Sequence, residues 1–272
     1  MRKSRDYKNL AKQKMFYKYG TLAGATAVYG AIYVGIVMAI MFAMSANLIS
    51  KGVFESIESM QNYVDVMSSS TSYFFISEGV TLLVGAIMSV FAVGVKYIAL
   101  NVARGKETKI SDVFFAIKNN PDKVVVIFLI QNIIMIIAGL PANMIALSLN
   151  KMTVAGAYTG NGTLEIIYFA FKVLSYIVDI AVIAYISQAE FIFLDEPMLS
   201  SIDCIRASIN VMKKNLNRYI NLFISFIPLY FLAIFTMGIG FIWVIPYQYT
   251  SYALFYMQLK GEIGSTVDVT IQ

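Results

Sequence analysis

Histidine is absent from the 272 residues. That removes the commonest general base and the commonest metal ligand. The one cysteine, Cys204, excludes an intramolecular disulfide and any thiolate cluster. Charged side chains make up 14% of the chain, where a soluble domain carries about 25%. No P-loop, HExxH helix, Ser-His pair or Cys-His pair can be drawn. No catalytic residue, metal or cofactor is therefore expected.

What the chain has is apolar length. The hydrophobic fraction is 58%, and mean hydropathy is +0.70. Such runs point to lipid as the solvent. Six segments have spanning length: Leu22–Leu48, Gly79–Val102, Val124–Leu149, Leu164–Leu194, Tyr219–Met237 and Phe241–Leu259. A span needs roughly 20 apolar residues. The first is too long for the apolar core of a cleaved signal peptide. The last two flank Gly238-Ile239-Gly240, where two glycines favour a tight reversal. The sixth segment is polar enough to lie partly re-entrant, and a failure to cross would reduce the count to five.

Lys and Arg set the orientation. Seventeen lie in the N-terminal segment, in the loops after the second and fourth spans, and after the sixth. Only Lys51 and Lys151 fall in the loops on the opposite side. The expectation is an all-α, six-span bundle forming a single membrane domain, with both termini cytoplasmic. The net charge of +5 is then topogenic rather than a nucleic-acid signal.

The layout repeats three times, each time as a basic amphipathic segment followed by a membrane hairpin. The apolar faces are Tyr7, Leu10, Ala11 and Met15; then Ile110, Val113, Phe114 and Ile117; then Ile202, Ile205, Ile209, Met212 and Leu216. Ser200 with Asp203 reads as a helix cap. These helices either lie in the headgroup layer, lysines toward anionic lipid, or pack on the cytoplasmic end of the bundle. On the other side, Val53, Ile57, Met60, Val64 and Met67 mark an acidic amphipathic helix. Ser68-Ser69-Ser70-Thr71-Ser72 reads as a flexible link. The sequon Asn161-Gly162-Thr163 is too short a match to carry weight.

The most informative feature is in the fourth span. Glu165, Lys172, Asp179 and Glu190 fall within about 20° of one line on a helix with 100° per residue. They form the candidate intramembrane polar site. A charge in mid-span costs about 2.5–3.5 kcal/mol, so the row should face the interior. It is either a polar pathway or a set of interhelical ion pairs. Candidate supporting groups are Gln131, Asn132, Pro246, Tyr247 and Gln248. Pro228 and Pro246 should kink their spans. Lys96 reads as a snorkelling cation. Gly20 and Gly24 match small-xxx-small packing, and Asp195-Glu196 reads as the end of the fourth span.

The last quarter of the chain carries a resemblance. It runs Leu194-Asp195-Glu196-Pro197, Ala207-Ser208, Met212-Lys213-Lys214-Asn215 and Ile224-Ser225-Phe226-Ile227. It continues with Thr236-Met237-Gly238-Ile239-Gly240, Trp243, Pro246-Tyr247 and Phe255-Tyr256. This resembles the bacterial integral membrane family called domain of unknown function 975. Met212-Lys213-Lys214 stands where that family tends to have Met-Lys-Gly. Pro228-Leu229-Tyr230 stands where it tends to have Gly-Trp. The resemblance implies a multi-span bacterial plasma-membrane protein and carries no functional residues with it. Three functions stay open. One is a non-enzymatic partner of another membrane protein in a transport, export or self-protection system. Another is a small-solute or ion transporter using the fourth span. The third is a membrane-embedded lipid-acting enzyme, which the missing histidine disfavours.

Overall fold

The computed structural model describes residues 3–157, 160 and 162–263. Arg2 of the basic N-terminal segment and Asn161 of the sequon lie outside them. Among the described residues, helices joined by short turns and loops are the only regular structure. In chain order the helices are α1 (Ser4–Met15), α2 (Tyr19–Ser50), α3 (Ile57–Ser69) and α4 (Thr71–Ala103). A 3-10 turn (Ile110–Phe114) leads into α5 (Phe115–Lys118). Then come α6 (Pro121–Val154), α7 (Thr163–Ile186), α8 (Ala189–Asp195) and α9 (Ser201–Met212). The chain ends with α10 (Leu216–Ile224), α11 (Ile227–Phe235) and α12 (Phe241–Leu259).

Five stretches are long and apolar enough to cross a bilayer: Tyr19–Ser50, Thr71–Ala103, Pro121–Val154, Thr163–Asp195 and Leu216–Phe235. Large apolar side chains cover their exposed faces, among them Met38, Phe42, Ile137, Phe169 and Ile177. A water-facing helix would show the reverse pattern. The chain is therefore a multi-pass membrane protein by composition and by helix length. α12 is excluded from that group by its polarity, and its polar residues are enclosed by protein: Gln248, Thr250 and Ser251 are buried.

The chain packs as two units. The first takes in the described residues of Met1–Ile32, Ile87–Phe128 and Ala184–Gln272. The second comprises Tyr33–Ala86 and Leu129–Ile183.

All three basic segments belong to the first unit, and each serves a membrane helix. α1 buries Tyr7, Ala11 and Met15 and packs along α12. Its Lys8 donates to the carbonyl of Ser225 at 2.8 Å. That carbonyl lies at the break between α10 and α11. The break exists because Pro228, at the start of α11, has no N–H to continue the ladder. α9 mends a second break. The fourth span is interrupted at Ser187-Gln188. There the Ser208 hydroxyl accepts from the Gln188 N–H at 3.2 Å and donates to the Tyr185 carbonyl at 2.7 Å. The 3-10 turn docks on α4: a Cβ on Gly94 would stand 1.9 Å from the Val113 carbonyl oxygen.

Several expectations need correction. The second basic segment buries Val113 and Ala116, while Ile110, Phe114 and Ile117 remain exposed. The tight 3-10 geometry turns the face away from the α-helical wheel. α9 buries Cys204, Ile205, Ser208 and Met212, leaving Ile202 exposed; Leu216 already belongs to α10. The Ser200 cap holds, accepting from the Asp203 N–H at 3.1 Å. Gly24 packs against the Ile110 side chain, whereas Gly20 has nothing nearby, so the two glycines do not form one contact face.

In the second unit, α3 forms as expected, with Ile57, Met60 and Val64 exposed. The serine run is not a flexible link. α3 ends at Ser69, α4 begins at Thr71, and only Ser70 joins them. Ser68 and Ser69 donate back to the Asp65 carbonyl, and Ser70 accepts from the Tyr73 N–H at 3.2 Å. Local side-chain bonds thus terminate one helix and cap the next. Asn150 and Lys151 of α6 add bonds to Ser68 and Thr71.

Candidate functional site

The fourth-span row is divided. Glu165, Lys172 and Asp179 lie on α7, in the second unit; Glu190 lies on α8, in the first. The interruption at Ser187-Gln188 ends the regular rotation that aligned them on paper.

Glu190 forms an ion pair with Lys96 of α4, each side chain under a fifth exposed. Lys96 also sits over the ring of Tyr249 at 5.3 Å. Lys96 is thus not a lone cation: a carboxylate on α8 partners it within the protein. Replacing Lys96 with Met leaves Glu190 unpaired. We expect Lys96→Met to cost about 1.5–3 kcal/mol in unfolding experiments in detergent. Adding Glu190→Gln should recover most of it; no recovery would mean that the two are not coupled.

Beside this pair runs a chain of buried hydroxyls. Tyr230 of α11 donates to the Gln248 amide oxygen. The Gln248 amide N–H donates to the Tyr252 hydroxyl at 2.6 Å. The Tyr219 ring lies beside that of Tyr252, with centroids 5.2 Å apart. The polarity of the sixth segment is thus consumed inside the protein. Pro246 and Tyr247 share that helix; Pro246 is buried, and Tyr247 packs edge-on against Phe226, with ring centroids 5.2 Å apart.

A third cluster ties helix ends together. Arg104, just beyond α4, holds both oxygens of Asp195 at 2.7 Å and both oxygens of Glu262 at 2.6 and 2.9 Å. Asp195 accepts further bonds from the Tyr256 hydroxyl at 2.9 Å and from Lys260 at 2.8 Å. The hydrogen bond to Asp195 pushes the Arg104 guanidinium above its ordinary range. Nearby, the Arg218 guanidinium donates to Tyr7 at 2.5 Å and to Gln258 at 2.7 Å. The sequence marked Asp195 only as a span end, because partners 91 and 65 residues away leave no local pattern.

The second unit is different. Lys172 sits over the ring of Tyr176, one turn along its own helix, at 5.3 Å. Among the described residues, no salt bridge involves Glu165, Lys172 or Asp179. Glu165 Oε2 and Asp179 Oδ1 are buried without a hydrogen-bond partner. The row nevertheless faces protein: Glu165, Lys172 and Asp179 are half-buried, while Ile166, Phe169, Tyr176 and Ile180 on the other faces are exposed. Gln131 and Asn132 belong to this unit; Pro246, Tyr247 and Gln248 do not.

Neither the curated proteins nor the solved structures contain a match. The model of one protein family matches residues 1–262, far more of the chain than the last-quarter motifs. With that span matched, the chain belongs to the family described as Protein of unknown function (DUF975).

Proposed function

We propose that this protein is a non-enzymatic component of a bacterial plasma membrane, with both termini cytoplasmic. In this reading it pairs with another membrane protein, as an accessory to a transport, export or self-protection system. The carrying observation is a contrast between the units. In the first unit Lys96 pairs with Glu190, Arg104 with Asp195 and Glu262, and Lys260 with Asp195. In the second, Glu165 and Asp179 keep buried oxygens without partners. An unpaired carboxylate in hydrocarbon is costly, and both side chains are only half-buried, so a donor on a partner's helix would reach the outer oxygen of each. The sidedness rests on the Lys and Arg asymmetry. Lys12 and Lys14 on the solvent side of α1, and Lys213 and Lys214 just after α9, would touch anionic headgroups while the apolar faces pack on protein. The topogenic placing of these charges supports no nucleic-acid partner.

Asp179→Asn and Lys172→Met should each weaken an assembly isolated in mild detergent, leaving the unfolding temperature of the single chain unchanged. A clean monomer across several detergents counts against the reading. The same unpartnered oxygens favour a second reading, passage of a small ion or solute along α7. In liposomes, both substitutions would then abolish flux. Flux that survives both leaves the row without a role in transport.

A further inference from the structure

The α11–α12 hairpin combines three features that a full crossing does not require. The first is its tip. The reversal carries Phe235, Met237 and Ile239, with Phe235 83% and Met237 96% exposed. No charged side chain lies between Arg218 and Lys260. A turn that emerges into water gains nothing from such a surface.

The second is its hydrogen bonding. Every backbone N–H from Thr236 to Val244 has a partner within the hairpin. The Gly240 N–H, which the turn would leave free, is taken by the Thr236 hydroxyl at 2.7 Å. The Thr236 hydroxyl itself donates to the Ala233 carbonyl at 2.7 Å. A turn in water can leave such donors to solvent, whereas one in hydrocarbon cannot.

The third is its length. α11 has nine residues, which is roughly 14 Å, about half of a ~30 Å hydrocarbon core. At its base, Lys8 caps the Ser225 carbonyl and lies 4.8 Å from the Phe226 ring centroid. Lys12 lies 5.8 Å from the Tyr247 ring centroid. Two ammonium groups beside Phe226 and Tyr247 mark a headgroup level. Burial, and then the charge of Lys12, lower the Lys8 pKa. α10, below that level, is amphipathic: Asn217, Arg218 and Asn221 share one face, while Tyr219 and Leu222 are buried. All of α10, α11 and α12 belongs to the first unit.

We propose that the α11–α12 hairpin enters the bilayer beside the lysines of α1 and turns back within the hydrocarbon, its tip among acyl chains. The chain then crosses four times, through α2, α4, α6 and α7–α8, and keeps both termini on one side. The inference rests on the membrane reading above and revises the expected six crossings.

The only tryptophan, Trp243, lies four residues from Ile239 and is exposed. The native protein can therefore report its own depth. In phosphatidylcholine–phosphatidylglycerol vesicles, lipids brominated at different acyl positions should quench it most when the bromines are deepest. Strongest quenching by bromines near the headgroups would place the tip at the far surface and overturn the proposal. Weak quenching at every depth would mean that protein covers the tip, which also overturns it. A second measurement uses Ile239→Cys with Cys204→Ala. Labelling by a membrane-impermeant maleimide should fall at least about tenfold below that of Ser56→Cys and return in detergent. Labelling from the far side would again mean a full crossing. If Ser56→Cys reacts only from the cytoplasm, the sidedness fails, while the quenching still reports the depth.

Discussion

Gly94→Ala should damage this protein more than any other methyl-sized change. In an exposed helix interior, replacing Gly with Ala stabilises by about 1 kcal/mol. Here the added Cβ would stand 1.9 Å from the Val113 carbonyl oxygen and 2.5 Å from its carbon. The obstacle is backbone, so no side-chain rotation relieves it. The 3-10 turn must leave α4, exposing Val113 and separating the stacked rings of Tyr97 and Phe115, whose centroids are 3.9 Å apart. The expected cost is at or above the top of the ~1–3 kcal/mol range for overpacking. Thermal unfolding in detergent micelles measures it. Gly30→Ala on α2 is the control, since nothing lies within 4 Å of a Cβ there. If Gly94→Ala behaves like Gly30→Ala, the turn does not dock on α4.

Asp195→Ala carries the second large effect. Asp195 is 9% exposed and accepts from Arg104, Tyr256 and Lys260. Its loss strands a buried guanidinium and a phenol together. Breaking one side of a buried pair costs about 3–5 kcal/mol. Glu262 still engages Arg104, so the lower part of that range is expected. Glu262→Ala should cost less, about 1 kcal/mol, because that carboxylate is more open to solvent. Unfolding of the two variants at low and high salt separates them. The Asp195 effect should be insensitive to salt and the Glu262 effect reduced by it. Equal losses would mean that the cluster has no centre at Asp195.

Much of the architecture was legible because membrane helices announce themselves through local composition. α2, α4, α6 and the fourth span follow from apolar length alone, and the Gly238 reversal from two glycines. The basic segments were visible as amphipathic stripes. Which residues they bury was visible only in part. The 3-10 geometry at Ile110–Phe114 shifts the wheel, and α9 turns Cys204 and Ser208 inward to mend a break in another helix. Period counting assumes an uninterrupted helix, and for the same reason it aligned Glu190 with Asp179.

The sequence by itself determined the solvent, the helical class and the places where charge had to be hidden. Composition decides these, because apolar length and charge content are local properties of the chain. Only the tertiary structure decided how each charge is neutralised: Lys96 with Glu190, Arg104 with Asp195 and Glu262, Lys8 with the carbonyl of a broken helix. Those pairs join residues far apart in the chain. An ion pair leaves no periodic trace, because its energy depends on distance in space rather than on spacing in sequence.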